Sequence, residues 1–186
     1  MAFDQKRERI IEGAGIATLI LGVALIVSVL FFPFGRHHEG RAMHAAGHLK
    51  GMAFHEAGHA VVAWALGLPV GDIYVRKMGE GDGGAQIGCA DALSFIDRLA
   101  VCFAGTQAAS VFNAPQPEGM GDKDISMVMN LLSGICGTHG IVFREQGRAR
   151  ARDLLMEHRS NVTRLAERLV EVHHVDDAEF MQLMTG

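Results

Sequence analysis

The chain has 186 residues, a formal net charge of -4 and a sequence pI near 6.2. This length suits one domain with an accessory segment, and the absence of a basic excess argues against nucleic acid as a partner. The three cysteines are widely separated and form no C-x-x-C pair, which argues against a disulfide framework and against a cysteine zinc site.

The N-terminal part of the sequence predicts a membrane-spanning helix. After a polar N-terminus at residues 1–12, residues 13–35 contain no charged side chain. As a helix this segment would extend about 35 Å, enough to cross a bilayer core of about 30 Å. A cleaved signal peptide is the alternative interpretation, but no small-x-small cleavage pattern closely follows the apolar run. We therefore expect a single-pass membrane protein.

Orientation in a membrane is less clear from the sequence, because basic residues flank the apolar run on both sides. Free cysteines favour a cytoplasmic location for the domain that follows. Residues 36–49 are predicted to be a juxtamembrane linker, and residues 50–186 the domain. The linker contains His37, His38, His44 and His48. Since His44 and His48 are four apart, a second metal site is one interpretation and a solvated segment is the other.

Residues 52–66 favour a helix and contain the most informative pattern, His55-Glu56-Ala57-Gly58-His59. Residues four apart lie on one face of a helix, so His55 and His59 can offer two imidazole nitrogens to one zinc ion. Glu56 is placed to take a proton from a water molecule at that metal. Two ordinary histidines on a buried helix are the alternative, since the five-residue pattern also occurs by chance.

The rest of the chain predicts a mainly α fold with a small β-hairpin. Residues 72–76 and 85–89 alternate as two short strands around a glycine-rich turn. Helices are expected at residues 92–113, from about Asp122, and over residues 144–172, where an apolar stripe runs between charged faces.

A catalytic zinc site usually has three protein ligands and one open position. Acidic candidates for the third ligand stand in the glycine-rich stretch Gly119-Met120-Gly121-Asp122-Lys123-Asp124. Asp122 could instead cap the helix that begins there, through its free backbone amides. Spacing alone leaves Asp122 and Asp124 about equal.

Several segments in order resemble the peptidase domain of FtsH-type AAA proteases. They are Phe54 to Trp64, residues 72–76 with Gly84-Ala85-Gln86, Asp97 to Gly105, Gly119 to Asn130, and parts of residues 151–169. The likeness covers about Gly51 to Met184. It implies an FtsH-peptidase-like zinc metallopeptidase domain, with His55, His59 and Asp124 as zinc ligands and Glu56 as general base. It also favours a cytoplasmic catalytic domain.

Two departures from that family bear on activity. The sequence contains no G-x-x-x-x-G-K-[ST] pattern, so the chain would act without an ATPase of its own. The stretch Thr106-Gln107-Ala108-Ala109-Ser110 lacks the acidic residues that the family carries there, and carboxylates around a metal often orient its ligands.

The resulting hypothesis is a membrane-anchored zinc metalloendopeptidase that hydrolyses unfolded or flexible protein segments. An extended peptide would add to the hairpin edge on the Ile87 side. Expected partners are a protein or peptide substrate, the membrane, and an AAA unfoldase or further copies of the chain. The alternative is a non-catalytic or partner-dependent zinc-binding module that regulates an AAA protease complex. An intramembrane metalloprotease is disfavoured, because the motif segment is shorter than the roughly 20 residues of a span.

Overall fold

A computed structural model describes residues 35–76, 83–116, 119–135 and 137–186, with side chains from residue 43 onward. Contacts within the chain separate residues 1–42 from residues 43–186. Of the first unit, residues 35–42 are described and are helical.

Helices dominate the described residues, together with a small sheet. In chain order the elements are α1 (Gly35–Ala65), β1 (Val70–Tyr74), β2 (Gly84–Ile87), α2 (Phe95–Val111), α3 (Asp122–Leu131), α4 (Thr138–Glu157), α5 (Arg159–Val172), β3 (His174–Val175) and α6 (Asp177–Thr185).

Close contact between α1 and α2 shapes the centre of the fold. A Cβ atom added at Gly58 of α1 would lie 2.5 Å from the Cβ atom of Ala108 and 2.8 Å from the carbonyl oxygen of Ala104, both on α2. Glycine is therefore required at this crossing, and small residues on both helices let the two backbones approach.

The sheet is antiparallel, with the strand order β2-β1-β3. Tyr74 of β1 pairs with Gly84 of β2 on one side and with His174 of β3 on the other. Ile73 is fully buried, so one face of the sheet packs on the helices. One edge of β2 pairs with β1, and its opposite edge has no partner strand among the described residues.

Two apolar clusters stabilise the unit. The larger contains buried residues of α1, β1, α2, the end of α4, α5, β3 and α6, and the smaller joins other residues of α2 with α3 and the middle of α4. Burial of each large side chain in such a cluster contributes about 1.5–3 kcal/mol. Val128 of α3 belongs to the smaller cluster, so α3 is seated against α2 rather than against α1.

The predicted fold class is wrong in two respects. The sheet has three strands, not the two of a hairpin; β3 is only two residues long, and its place is set by pairing with Ile73 and Tyr74 rather than by a local pattern. The membrane-spanning helix predicted at residues 13–35 is not found: no helix in the described part of the chain combines the length and the apolar character needed to cross a membrane. Residues 13–34 lie outside the described residues. The predicted single-pass membrane localisation is corrected with it.

Residues 36–49, predicted to be a juxtamembrane linker, are helical as part of α1. The boundary of one predicted helix also differs. The helix predicted at residues 144–172 starts earlier and is divided into α4 and α5 at His158, whose backbone leaves the helical conformation at φ -103° and ψ 29°. The His158 ring packs edge-on against Trp64 of α1, with ring centroids 5.3 Å apart, so the break is fixed by a tertiary contact.

Candidate metal centre

His55 and His59 project from α1 toward the first turn of α3, where they meet Asp124. The Nε2 atoms of His55 and His59 lie 3.0 and 3.1 Å from Oδ2 of Asp124, and 3.2 Å from each other. All three residues are buried, and 6–10% of their side-chain surface is exposed. Among the described residues, this is the group of His, Cys, Asp and Glu side chains that could hold a metal ion.

The spacing of these three atoms fits a metal ion. Zinc bonds of about 2.0–2.2 Å in a tetrahedron place ligand atoms about 3.3–3.6 Å apart. The observed separations of 3.0–3.2 Å need only a small expansion to reach that range. Buried imidazole and carboxylate donors that converge in this way are the chemistry of a divalent metal site.

The hydrogen bonding of His59 strengthens this interpretation. Its Nδ1 atom lies 2.9 Å from the carbonyl oxygen of Val101 on α2 and donates to it. In a neutral imidazole the proton is then on Nδ1, so Nε2 directs a lone pair at the carboxylate of Asp124. Two lone pairs at 3.1 Å repel each other unless a proton or a metal cation lies between them.

Electrostatics at the site favour a shared cation. Burial opposes ionisation of Asp124, but its hydrogen bonds with His55 and His59 outweigh that effect and hold its pKa well below the usual range. Burial also disfavours a charged His59, and Asp124 again outweighs it, so that the pKa of His59 is raised. The carboxylate therefore stays ionised and attracts positive charge to the two imidazoles.

The two imidazole rings differ in the hydrogen bonds that orient them. His59 is oriented by the carbonyl group of Val101, whereas Nδ1 of His55 is buried without a hydrogen-bond partner among the described residues. Ligand histidines normally donate this second N–H to a carboxylate, a carbonyl or water. His55 is thus the ligand whose ring orientation depends most on packing.

Two glycines make room for the ligands. A Cβ atom at Gly105 of α2 would lie 2.5 Å from Cε1 and Nε2 of His55 and from Nε2 of His59. Gly121, which precedes α3, adopts φ +91°, and a Cβ atom there would lie 2.9 Å from Cγ2 of Thr106. Only glycine accepts both that backbone conformation and that proximity without strain.

Glu56 lies beside the metal-binding group and faces the sheet. A Cβ atom at Gly83 would lie 3.0 Å from Oε1 of Glu56, so this carboxylate contacts the backbone at the start of β2. Burial raises the pKa of Glu56 above its ordinary value, although His59 and His55 act in the opposite direction. A carboxylate with a raised pKa is better suited to accept and return a proton near neutral pH.

These groups open into one cleft of about 1080 Å³. Its floor is the buried face of α1, one wall is β2 with Gly83, Gly84 and Ile87, and the opposite wall includes Met127 and Leu131 of α3. Met127 and Leu131 follow Asp124 at helical spacing and add apolar surface to this wall, which also carries Asp122, Lys123 and Asn130. A cleft with an apolar lining and a few convergent polar groups is the usual form of a binding site.

The structure brings His55, Glu56, His59 and Asp124 together in this cleft. Asp122 is exposed at the first position of α3, and the residue that caps the helix is Gly121, without a side-chain bond. His44 and His48 are described and do not belong to the metal-binding group, although His48 lines the cleft. The side chains of His37 and His38 lie outside the described residues.

Sequence reasoning missed the contributions of Val101, Gly105 and Gly83. A glycine inside an apolar helix, as at Gly105, was the one available signal, because such a residue usually has a packing or functional reason. Neither a scan against protein-family models nor a search of curated proteins finds a match to this chain.

Proposed function

We propose that the protein is a zinc-dependent endopeptidase that hydrolyses unfolded or flexible protein segments without an ATPase of its own. The observation that carries this proposal is the convergence, in one open cleft, of a buried metal-binding group, an adjacent carboxylate and the edge of a sheet. The likeness to FtsH-type peptidase domains supports it.

His55, His59 and Asp124 would hold the zinc ion through Nε2, Nε2 and Oδ2. When bound, zinc supplies Lewis acidity that polarises a carbonyl group and lowers the pKa of water toward about 7. Two imidazoles and one carboxylate also suit ferrous iron, so metal content is the first quantity to measure. The Glu56 carboxylate beside the ligands favours hydrolysis, since a metal site of purely structural role has no need for it.

Glu56 would act as the general base and then as the acid. Its carboxylate takes a proton from the attacking water and later passes it to the amine that leaves from the broken amide bond. Contact with Gly83 holds this carboxylate between the ligands and β2, so the proton moves close to the strand where substrate would lie.

The outer edge of β2 would bind the substrate backbone. An extended peptide can add to an open strand edge by main-chain hydrogen bonds, which any unfolded sequence can form. This mode selects segments that are already extended and gives loose sequence preference. It fits a chain whose sequence contains no nucleotide-binding pattern for unfolding substrates.

Cleavage of an unstructured polypeptide by the zinc-loaded protein, without ATP, tests the proposal. Glu56→Gln should lower the rate by about 10²–10⁴-fold, the contribution of a positioned general base, while zinc stays bound. Glu167→Gln is the matched control, because Glu167 is exposed on α5, outside the cleft. Fragments are identified by mass spectrometry, and zinc is measured by elemental analysis.

Equal cleavage by wild type and Glu56→Gln would refute the proposed mechanism. If neither protein cleaves and each binds one zinc ion, the second candidate function is favoured, a zinc-binding module that regulates an AAA protease complex. One observation supports this candidate: within the part of the chain that the structure describes, Nδ1 of His55 has no hydrogen-bond partner of the kind that orients the ligands of catalytic metals.

A further inference from the structure

Tyr74 lies at the mouth of the cleft and belongs to none of the groups assigned above. It stands on β1 next to the fully buried Ile73, so its side chain projects from the opposite face of the sheet and is half-buried. It lines the cleft together with Gly83 and Gly84. The hydroxyl group of Tyr74 makes no hydrogen bond with any described residue.

The Tyr74 ring leans across β2. Tyr74 pairs directly with Gly84, and a Cβ atom at Gly84 would lie 2.9 Å from the hydroxyl oxygen, 3.0 Å from Cζ and 3.1 Å from Cε1 of Tyr74. The end of the phenol thus occupies the space that a side chain at position 84 would fill. The guanidinium group of Arg76 lies 5.4 Å from the ring centroid and helps to hold the ring in place.

This placement carries the ring to the open edge of the sheet. Neighbouring strands are about 4.8 Å apart, so a peptide added to β2 would run about 4.8 Å beyond Gly84. The peptide residue opposite Gly84 would project its side chain on the same face as Tyr74. Since Gly84 has no side chain to separate them, that side chain would meet the phenol ring.

We propose that Tyr74 forms an aromatic subsite at the edge of β2, which takes an apolar or aromatic side chain from an extended peptide. The subsite rests on the proposed function only in that the ligand is a peptide on β2; it does not require cleavage. Binding is favoured most when the partner side chain covers the apolar face of the half-buried Tyr74 ring and removes it from water. An aromatic partner adds the favourable energy of a stacked or edge-to-face ring pair. The ligand class is therefore an unfolded segment with a large apolar side chain.

The chain offers a specific reporter, because Tyr74 is its single tyrosine. The full zinc-loaded Glu56→Gln protein is labelled with 3-fluorotyrosine, which gives one fluorine NMR signal and leaves the probe peptide uncut. The probe is a dye-labelled decapeptide of Ser, Thr and Gln with one central Phe, compared with the same peptide carrying Ser in place of Phe. Affinity is measured by fluorescence anisotropy.

We expect the Phe peptide to shift the fluorine signal in a saturable way. The Ser peptide should bind about three- to tenfold more weakly, which is the contribution of one aromatic contact to the affinity. Tyr74→Ala should remove that difference and Tyr74→Phe should keep it. Gly84→Ala should also weaken binding, because the new Cβ atom displaces the ring. Asp72→Ala is the control, since Asp72 is on the same strand and does not line the cleft.

Three results would overturn the subsite: an unmoved fluorine signal with peptide bound, equal affinity of Tyr74→Ala for both peptides, or no binding of the Phe peptide at millimolar concentration. Cleavage by the wild-type protein is scored separately. Cleavage without a Tyr74 response rejects the subsite and leaves the peptidase, whereas a Tyr74 response without cleavage rejects the peptidase and leaves the subsite.

Discussion

Gly105 lies against the imidazole rings of His55 and His59, and its lack of a side chain leaves the space that these rings occupy. Gly105→Ala would place a methyl group 2.5 Å from both imidazoles, so at least one ring has to leave its position. We expect zinc affinity to fall by about 10–100-fold, the range seen when the support of a metal ligand is disturbed. Competition with a chromophoric chelator measures it.

Gly47→Ala provides the control for this substitution. Gly47 is also helical, in α1, but its added Cβ atom would meet only Cγ of Pro115 at 3.8 Å, an ordinary contact. Zinc affinity should be unchanged in this variant, and the helix should gain slight stability. Equal zinc affinities of the Gly105→Ala protein and the wild type would show that the imidazoles do not occupy the positions described.

Gly83 affects a different step of the proposed reaction. A Cβ atom there would lie 2.9 Å from the carbonyl oxygen of Tyr74 and 3.0 Å from Oε1 of Glu56. Gly83→Ala should displace the carboxylate and lower the cleavage rate by about tenfold or more, with zinc affinity retained, because no metal ligand is touched. Glu167→Gln, at an exposed position on α5 outside the cleft, should leave both quantities unchanged. A joint loss of zinc and cleavage in Gly83→Ala would contradict this separation of roles.

At the residue scale, the sequence predicted the part of the site that depends on local geometry. Four-residue spacing on a helix placed His55 and His59 together, and Glu56 beside them. Spacing left Asp122 and Asp124 equal, and only the family resemblance selected Asp124, because this residue is 65 positions from His59 and the path of the chain brings the two together. The carbonyl of Val101 and the space at Gly105 come from α2, which no local pattern connects to the motif.

The start of α2 is stabilised by a compact set of polar contacts. Oγ of Ser94 accepts a hydrogen bond from the backbone N–H of Asp97 and donates one to its carboxylate. Nε of Arg150, on α4, donates to the same carboxylate at 2.9 Å. Burial raises the pKa of Asp97, but these hydrogen bonds outweigh it and the pKa is lowered. The ionised form of Asp97 is thus the one that joins α2 to α4.

Asp97→Asn should destabilise the protein in a pH-dependent way. A carboxylate with a lowered pKa contributes stability above its unfolded value of about 3.9, and this is lost as the pH falls through the folded value. The loss should be about 0.5–1 kcal/mol at pH 7, since Arg150 is partly exposed, and smaller at pH 3. Urea unfolding at both pH values measures it, with the exposed Asp153→Asn as control. A loss of equal size at pH 3 would exclude an electrostatic origin.

At the element scale, the apolar periodicity of the sequence predicted the helices but not the junctions between them. The apolar stripe of residues 144–172 continues through His158, so the pattern predicted one helix where α4 and α5 are two. The ring contact with Trp64 that accompanies the break joins residues 94 positions apart, which no window of the sequence can contain. Strand β3 was not predicted for the same reason, because its two residues pair with residues of β1 that lie about a hundred positions away.

For the whole molecule, predictions from amino-acid composition were weaker than predictions from the spacing of residues in motifs. The membrane prediction rested on the apolar composition of residues 13–35, and no helix of the described chain supports it. Within residues 43–186, the ordered motifs of the sequence lie on helices α1 to α3 and on the sheet. In this unit α1 supplies two residues of the group that could hold a metal ion and α3 supplies the third, while α3 itself packs on α2 through Val128.

A metal ion would therefore act as a clamp between α1 and α3. Ligand atoms on both helices must be in place for binding, so the ion binds the folded state alone and stabilises it by mass action. At a free zinc concentration of 100 times Kd the gain is about 2.7 kcal/mol, or about 5–10 °C in Tm for a chain of this size. Residues 119–131 should also become more protected from hydrogen exchange, because Asp124 fixes the first turn of α3.

Asp124→Asn and Asp122→Asn form a matched pair for this prediction, since both lie in the first turn of α3 and both lose one charge. Zinc should raise the Tm and the protection of residues 119–131 in wild type and Asp122→Asn, and a chelator should reverse both effects. Asp124→Asn should respond to neither, because its side chain no longer offers a charged ligand. The opposite order, with Asp122→Asn insensitive to zinc, would move the third ligand to the exposed carboxylate and the metal out of the buried group.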